Sequence, residues 1–213
     1  MSTYYKFTSL EHLQSAIQYG AFASPLTNLN DPYEFEGIRY KDKYRICCLS
    51  KVPFKMLMWA HYSKHIGCRI DFKFGDEFDS RLKPVTYEEC YRNRAELDES
   101  SIEESFYHKG REWAYEEEVR AIWTRGSTSA CWKKDFEGNV FLAGRVSSIT
   151  FGLLADQDKD AYRKALETIK RHNDQNPNNP ISVSKCRLMN SKYQLANDGQ
   201  FNYLEELKAL TQN

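Results

Sequence analysis

The sequence has no excess of charge of either sign and no long apolar run. Its 213 residues hold 30 Lys and Arg against 30 Asp and Glu, so the formal net charge is zero. Such a chain has no global basic field to hold nucleic acid non-specifically. No stretch reaches the ~20 apolar residues of a membrane span. The polar first residues, MSTYYKFTSLEHLQ, lack the apolar core of a signal peptide. The sequence therefore predicts a cytoplasmic protein without a membrane partner.

The six cysteines show no metal-binding or redox spacing. They form no C-x-x-C pair, and the adjacent Cys47 and Cys48 are poorly placed for a disulfide. This usage is typical of reduced, structural thiols. We therefore predict no metal site.

Four well-known catalytic motifs are also missing. The sequence contains no G-x-x-x-x-G-K-[ST], no G-x-G-x-x-G after a strand, no H-E-x-x-H and no G-x-S-x-G. These absences argue against a P-loop hydrolase, a Rossmann dehydrogenase, a zincin and an α/β-hydrolase.

The patterning predicts one α+β domain over residues 1–213. Apolar residues make up 41% of the chain and charged residues 28%, which suits a folded globular protein. Periodicity predicts strands over residues 4–8, 21–24, 44–49, 68–72, 82–87, 118–123, 146–152, 181–188 and 192–196, and helices over residues 10–17, 54–63, 88–107, 158–172 and 203–210. This order lacks steady β-α-β alternation. It favours a split mixed or antiparallel sheet flanked by helices.

The first candidate functional segment is the strand over residues 4–8. Alternation places Tyr5 and Phe7 on one face and Tyr4, Lys6 and Thr8 on the other. Either the two aromatic side chains lie in the core beneath a solvated outer face, or one face of this strand lines a ligand cleft.

The second candidate is the segment MWAHYSKHIG. On a helix, His61, Tyr62 and His65 lie within neighbour distance. Three interpretations stay open: packing centred on Trp59, a hydrogen-bonded or ligand-facing His61, and metal chelation by His61 and His65.

The third candidate is the segment Trp113 to Arg120. Alternation places Glu116, Glu118 and Arg120 on one face of a half-buried strand. The three side chains either form a surface ion-pair ladder of little energetic weight or a site where a fixed carboxylate meets developing positive charge.

These segments, in this order, resemble the bacterial family catalogued as domain of unknown function 2971. The resemblance spans most of the chain. In chain order, its first motifs are an aromatic-Lys-aromatic strand, a Leu-rich helix, a Ser-Pro pair and an Asn-Asp-Pro-aromatic-Glu loop. A Leu-x-Trp-x-His-Tyr motif with a nearby Gly follows. The last motifs are a single Lys, a single Trp, a Tyr-Glu-x-Glu-x-Arg strand and a Phe-Gly pair. The matching residues are Tyr5-Lys6-Phe7, Leu10 to Ile17, Ser24-Pro25, Asn30 to Glu34, Leu57, Trp59, His61, Tyr62, Gly67, Lys109, Trp113, Tyr115, Glu116, Glu118, Arg120 and Phe151-Gly152. The chain departs from the pattern at Val119, where the family has Trp.

More remotely, the order of segments resembles the ADP-ribosyltransferase fold, and this resemblance implies NAD as cofactor. In that fold, residues of the first strand, the second strand and a later strand clamp NAD. The catalytic residues implied here are Glu118, which would stabilise the ribosyl cation, and Glu116, which would act as general base. The implied cofactor-binding residues are Tyr5, Lys6, Ser24, His61, Tyr62 and Arg120.

The resemblance implies an ADP-ribosyltransferase-like enzyme, a bacterial toxin or phage-defence effector. It would modify a nucleic-acid or protein acceptor and have an antitoxin or other partner protein. The alternatives are a non-catalytic module that senses a nucleotide or a partner, and a hydrolase or nuclease that needs no cofactor. We further expect His61 and Tyr62 to share a cleft with Glu118, and residues 28–36 to edge the site. Glu118→Gln should lower the rate ~10²–10³-fold with little effect on folding.

Overall fold

The computed structural model describes residues 2–38, 41–90, 97–190 and 194–212. Its strands are β1 (Thr3–Thr8), β2 (Ala21–Pro25), β3 (Tyr44–Ser50), β4 (Cys68–Lys73), β5 (Lys83–Pro84), β6 (Thr86–Glu88), β7 (His108–Gly110), β8 (Glu118–Thr124), β9 (Trp132–Lys134), β10 (Val140–Leu142), β11 (Arg145–Phe151), β12 (Ser182–Leu188) and β13 (Leu195–Asn197). Its α-helices are α1 (Leu13–Tyr19), α2 (Met56–Met58), α3 (Asp76–Asp79), α4 (Glu99–Ser105), α5 (Lys159–Gln175) and α6 (Tyr203–Thr211).

The chain forms two compact units, each made of three sequence segments. Unit 1 comprises residues 1–2, 19–51 and 74–144, and unit 2 comprises residues 3–18, 52–73 and 145–213. Both contain a sheet and helices, so the predicted α+β class is confirmed. That the whole chain is one domain stays a prediction. No helix among the described residues has the length and apolar character needed to cross a bilayer.

Unit 1 is built on an antiparallel sheet with the order β5-β8-β3-β2-β10-β9. Its longest pairing joins β3 to β8, from Tyr44 opposite Thr124 to Ser50 opposite Glu118. Three strands separate β8 from β9, or roughly 19 Å in a flat sheet. The ammonium group of Lys134 on β9 nevertheless lies 4.9 Å from the ring centroid of Trp123 on β8. The sheet is therefore strongly curled.

A small parallel ribbon and an apolar cluster complete unit 1. The ribbon pairs β6 with β7, with Tyr87 opposite Lys109. The cluster centres on Tyr44 and Phe106, whose rings meet edge to face at 5.1 Å, with Leu26, Ile38 and Ile46 buried beside them. This packing fixes the carbonyl of Phe106 beside strand β8, where the site described below uses it.

Unit 2 contains a mixed sheet with the order β13-β12-β11-β4-β1. The β11–β12 pair is parallel and the other pairs are antiparallel. Helix α5 buries Tyr162, Ala165, Leu166 and Ile169, an i, i+3, i+4, i+7 stripe. The ring of Tyr162 packs against Phe151 of β11 at 4.9 Å.

The predicted helix over residues 54–63 forms only in part. Three α-helical residues of α2 lead into a π-helical turn over Trp59–Ser63. Lys64 and His65 then adopt positive φ angles of 50° and 60°, which are uncommon for residues with a side chain. The turn packs Trp59 edge to face on Phe7 at 5.1 Å. It is followed by Gly67, where a Cβ would lie 2.1 Å from the carbonyl oxygen of Thr8.

Two other local predictions were wrong in their extent. The helix predicted over residues 88–107 is limited to Glu99–Ser105, and Glu88 instead ends strand β6; residues 91–96 lie outside the described residues. The strand predicted over residues 82–87 is two short strands. Val85, between them, donates its N–H to the carbonyl of Glu118 at 2.9 Å.

For strand β1, the interpretation that Tyr5 and Phe7 lie in the core beneath a solvated outer face was wrong, and the interpretation that one face lines a ligand cleft stays a prediction. Tyr4 and Phe7 are the buried residues, although they lie on opposite faces, while Tyr5, Lys6 and Thr8 are half-buried. Strand β1 is covered on both sides, so alternation does not separate its core side chains from its outer ones.

Candidate functional site

A buried network of charged side chains lies at the start of strand β8 in unit 1. The network consists of two basic and three acidic residues, Lys109, Arg120, Glu34, Glu116 and Glu118. Lys109 and Glu118 are each 6% exposed, and the others are 2% exposed or less. The structure brings Glu116, Glu118 and Arg120 into this network, and their catalytic and binding roles stay predictions. The alternative of a surface ion-pair ladder is wrong, because these side chains are buried.

Arg120 holds Glu118 in a two-pronged ion pair. Its Nε and Nη2 atoms each donate to a different carboxylate oxygen of Glu118 at 2.8 Å. Its Nη1 atom donates to the carbonyl of Phe106 at 2.6 Å and also contacts a carboxylate oxygen of Glu34. Bidentate pairing of this kind fixes the orientation of both groups as well as their separation.

Lys109 links the three carboxylates from the other side. Its Nζ atom lies 2.6 Å from Glu116 Oε2, 3.3 Å from Glu118 Oε2 and 3.7 Å from Glu34 Oε2. The same ammonium lies 4.6 Å from the ring centroid of Trp113. Lys109 therefore makes three charged contacts and one cation–π contact while hardly exposed to solvent.

A left-handed residue brings Glu116 and Glu118 together. Glu116 ends a 3₁₀-helix over Arg111–Glu116, Glu117 has a φ of 44°, and strand β8 begins at Glu118. The alternation expected through Glu116 is therefore wrong, since Glu116 is not in the strand. Ser50 donates to the carbonyl of Glu116 at 2.6 Å, and the Glu118 N–H donates to the Tyr87 hydroxyl at 2.8 Å.

Glu34 reaches the network from the loop that was expected to edge the site. Asp31 caps a 3₁₀-helix over Pro32–Glu34 by accepting a hydrogen bond from the Tyr33 N–H at 3.0 Å, and Pro32 occupies its first turn. The short helix directs the Glu34 carboxylate to Lys109 and Arg120. Residues of this loop therefore border the charged network, and that they edge a functional site stays a prediction.

The surroundings of the network shift the pKa values of Glu118, Lys109 and Tyr87. Burial by itself raises the pKa of the Glu118 carboxyl. The positive charges of Arg120 and Lys109, together with the hydrogen bonds from Arg120 and Cys48, have the larger effect and lower this pKa from 4.5 to about 2. Burial lowers the pKa of Lys109, but the carboxylates of Glu118, Glu34 and Glu116 raise it above its ordinary value. Burial also raises the pKa of the Tyr87 hydroxyl to about 12. Glu118 and Lys109 are thus charged at neutral pH, whereas Tyr87 is neutral.

A cavity of about 940 Å³ opens beside the network in unit 1. We call it the acidic cavity. Its charged and aromatic lining consists of Asp31, Tyr33, Glu34, Glu88, Glu89, His108, Lys109, Arg111, Glu112 and Trp113. Glu34 and Lys109 belong to both the cavity and the network. Glu116, Glu118 and Arg120 are outside the described lining, behind those two residues.

The other predicted cofactor residues are distributed over both units. Ser24 lies on β2 of unit 1, opposite Ile46 of β3, and outside the described cavity lining. Tyr5, Lys6, His61 and Tyr62 belong to unit 2. Their placement beside Glu118 stays a prediction, and so does the shared cleft.

The structure gives Tyr5 a different neighbour. Its ring centroid lies 5.0 Å from the guanidinium of Arg69, which also lies 4.7 Å from the ring of Phe54. Arg69 pairs with Asp71 through two hydrogen bonds of 2.7 and 3.0 Å. Tyr5 thus belongs to a second, stacked arginine site in unit 2.

Sequence reasoning gave no role to Glu34 and Lys109, the two residues that connect the network to the cavity. Both stand in motifs of the family resemblance, and this was the only signal that could have found them. Lys109 is separated from Glu34 by 75 positions in the chain, so no local periodicity relates them.

In the described ranges, no three or more His, Cys, Asp or Glu side chains are arranged so that they could hold a metal ion. The six cysteines are joined by no disulfide. No family model, curated protein or solved structure matches the chain.

Proposed function

We propose that the chain is a nucleotide-binding protein and that the acidic cavity of unit 1 receives the ligand, NAD in the first instance. One observation carries the proposal: Lys109 and Glu34, two nearly buried charged side chains, line a cavity of about 940 Å³ beside the ring of Trp113. A volume of this size lies in the range of small-molecule sites.

The buried charges are the reason to expect a ligand rather than simple packing. Removing charged groups from water is expensive, and apolar residues of the same volume often give equal or greater stability. Clustered, perturbed charges beside a cavity are typical of binding and catalytic sites. We infer that this network is kept for what it contacts in the cavity.

The lining offers the kinds of contact that NAD requires. The rings of Trp113 and Tyr33 supply flat aromatic surfaces, and stacking on such a ring contributes about 1–3 kcal/mol per base. Arg111, whose side chain is 70% exposed and pairs with Glu89 at 2.6 Å, would supply a cation for a phosphate group at the rim by exchanging that exposed pair for the phosphate. Carboxylates such as Glu34 accept hydrogen bonds from ribose hydroxyls.

A second candidate is an ADP-ribosyltransferase-like enzyme, the activity that the resemblance implies. In such a reaction the bond between ribose C1′ and nicotinamide breaks and nicotinamide leaves with the electron pair. An oxygen of water or of an acceptor then bonds to C1′ and loses its proton. The carboxylates of Glu116 and Glu118, which both contact Lys109 behind the cavity wall, favour this candidate.

The same geometry sets a condition on catalysis by Glu118. Arg120 and Lys109 already neutralise its carboxylate, and neutralised carboxylates stabilise a ribosyl cation poorly. Lys109 would have to move away from Glu118 in the complex. Binding requires no such movement, so we place it first. A role as toxin or phage-defence effector, with an acceptor and a protective partner, belongs to the enzyme candidate.

Isothermal titration with NAD and chromatographic detection of nicotinamide test both candidates on the full chain. We expect NAD binding that Trp113→Leu weakens about 5- to 150-fold, the equivalent of one lost stacking contact. Trp132→Leu is the matched control, because Trp132 is another half-buried tryptophan of unit 1 outside the described cavity lining.

Each outcome decides between the candidates. Binding without nicotinamide release supports the binding module, and binding with release supports the enzyme. Absence of NAD binding to the folded protein overturns the nucleotide proposal. Cleavage of RNA or DNA without NAD would instead support a nuclease.

A further inference from the structure

We infer that unit 1 binds single-stranded nucleic acid on a surface at the end of strand β8. This surface, which we call the basic surface, consists of Arg45, Arg125, Lys134 and Phe136, with Trp123 buried beneath Lys134. None of these residues belongs to the described lining of the acidic cavity, so the basic surface is independent of the nucleotide site proposed above.

The curl of the sheet brings two basic side chains to one tryptophan. Lys134 of β9 places its ammonium 4.9 Å from the ring centroid of Trp123 on β8. Arg45 of β3 is the residue directly opposite Trp123 in the pairing of β3 with β8. Directly opposite residues of an antiparallel pair have neighbouring side chains on one face of the sheet. Arg45 and Lys134 therefore flank the same indole ring, although they lie far apart in the chain.

Arg125 joins this group through the turn that precedes β3. Its backbone N–H donates to the carbonyl of Lys43 at 2.7 Å, and its guanidinium pairs with the Asp42 carboxylate at 2.7 Å. Arg45 donates to the carbonyl of the same Asp42 at 3.1 Å. Both side chains of the Arg125–Asp42 pair are exposed, and such pairs contribute little to stability. A phosphate group can therefore replace Asp42 at Arg125 at small cost.

Trp123 gives an independent indication that this surface receives an anion. The residue is 5% exposed, and its indole N–H has no hydrogen-bond acceptor among the described residues. A buried donor without an acceptor costs about 1–3 kcal/mol. A phosphate oxygen is an acceptor, and the two cations that flank Trp123 would attract it. The unpaired donor and the cations thus point to the same kind of ligand.

Phe136 favours nucleic acid among the possible anions. It lies in the turn between β9 and β10 and is 92% exposed. Asp135 fixes this turn, because its carboxylate accepts hydrogen bonds from the backbone N–H groups of Glu137 and Asn139, each at 2.9 Å. Bases of a single strand stack on aromatic side chains that lie beside cations. A lipid surface is bound through a broad apolar face, whereas the neighbours of Phe136 in the turn are polar.

Fluorescence anisotropy with a labelled oligothymidylate of about 12 nucleotides tests the inference on the full chain, since single-strand sites take about 4–16 nucleotides. If Arg45, Arg125 and Lys134 neutralise one phosphate each, a plot of the logarithm of the binding constant against that of the salt concentration should have a slope of about −2. Absence of binding at low salt, both to this strand and to oligouridylate of the same length, overturns the inference.

Two variants separate the charge contribution from the stacking contribution. Lys134→Gln removes one phosphate contact, so binding at about 0.1 M salt should weaken about 5-fold and the slope should become less steep by about 0.7. Phe136→Ala should weaken binding about 5- to 150-fold, the equivalent of one lost stacking contact, and leave the slope unchanged. Both side chains are exposed, so both variants should melt with the wild type.

Each variant has a matched control. Lys51→Gln removes the same charge from an exposed position just past the far end of β3, roughly 20 Å along the chain from Arg45 and beyond the screening length of about 10 Å at 0.1 M salt. Leu188→Ala removes an exposed apolar side chain of unit 2. Neither control should change binding. If each control weakens binding as much as its matched variant, the inference is wrong.

Two further probes test the class of partner. Phe136→Ala should weaken binding of the single strand but not of a duplex of the same length, because bases in a duplex are already stacked on one another. Equal losses for the two would contradict single-strand binding. Vesicles containing phosphatidylserine that bind the protein when the oligonucleotides do not would assign the surface to a membrane. NAD binding without oligonucleotide binding refutes this inference alone, and the reverse result refutes the NAD proposal alone.

Discussion

Lys109 is the residue whose loss tests the charge network most directly. Lys109→Met keeps the length of the side chain but removes a cation that lies within 4 Å of Glu34, Glu116 and Glu118. Among the described residues of the network, Arg120 would remain as the basic side chain, paired with Glu34 and Glu118. Removing one partner from a buried ion pair costs about 3–5 kcal/mol, which for a chain of this length corresponds to a melting temperature lower by roughly 6–20 °C.

Thermal melts by circular dichroism measure this loss at pH 7. Lys133→Met, an exposed change in the same unit, is the matched control and should melt with the wild type. The double variant Lys109→Met with Glu116→Gln should recover part of the loss, because it removes one of the carboxylates left without a cation. A Lys109→Met protein that melts like the wild type would refute the view that the network holds buried charges.

Three further predictions concern pH, packing and thiol reactivity. The pKa of Glu118 is lowered from 4.5 to about 2, so the stabilising effect of its carboxylate should be complete above pH 4.5 and lost as the pH falls toward 2. In Glu118→Gln, a plot of melting temperature against pH should therefore be flatter over this range. Gly67→Ala should destabilise by at least about 1–3 kcal/mol in urea unfolding, because its Cβ would lie 2.1 Å from a backbone oxygen of β1, whereas Gly199→Ala meets nothing within 4 Å and should be neutral. A chromogenic thiol reagent should modify the exposed Cys90 at once. It should modify Cys68 only on unfolding, because burial raises the pKa of this thiol to about 12; equal reaction rates for the two cysteines would contradict the burial of Cys68.

The sequence predicted those parts of the molecule that depend on local periodicity. Strand β8 and helix α5 have one repeating pattern each, and both were predicted within a few residues. The π-helical turn at Trp59–Ser63, whose Trp59 packs on Phe7, was not predicted, since its apolar spacing resembles that of an α-helix.

The site was predicted in part and for an incomplete reason. Alternation correctly grouped Glu118 and Arg120, which are two positions apart on one strand. Glu116 joins them because Glu117 adopts a left-handed conformation, which strand alternation does not anticipate. Lys109 completes the group through a tertiary contact, which the sequence pattern around it does not encode.

The burial of Glu118 changes how its substitution must be interpreted. A carboxylate that faced an open cleft would tolerate Glu118→Gln with little effect on folding, as the sequence led us to expect. Glu118 instead accepts two hydrogen bonds from the fully buried Arg120, so Glu118→Gln removes the bidentate partner of that guanidinium and leaves Glu34 as its other paired carboxylate. We expect a loss of stability of about 3–5 kcal/mol, measured by urea unfolding. Loss of function in this variant alone would therefore not identify a catalytic residue. Substitutions of exposed cavity residues such as Glu112 separate ligand binding from folding, because they leave the buried network intact. A Glu118→Gln protein as stable as the wild type would contradict the structural role of Glu118 and support a Glu118 side chain that faces a cleft.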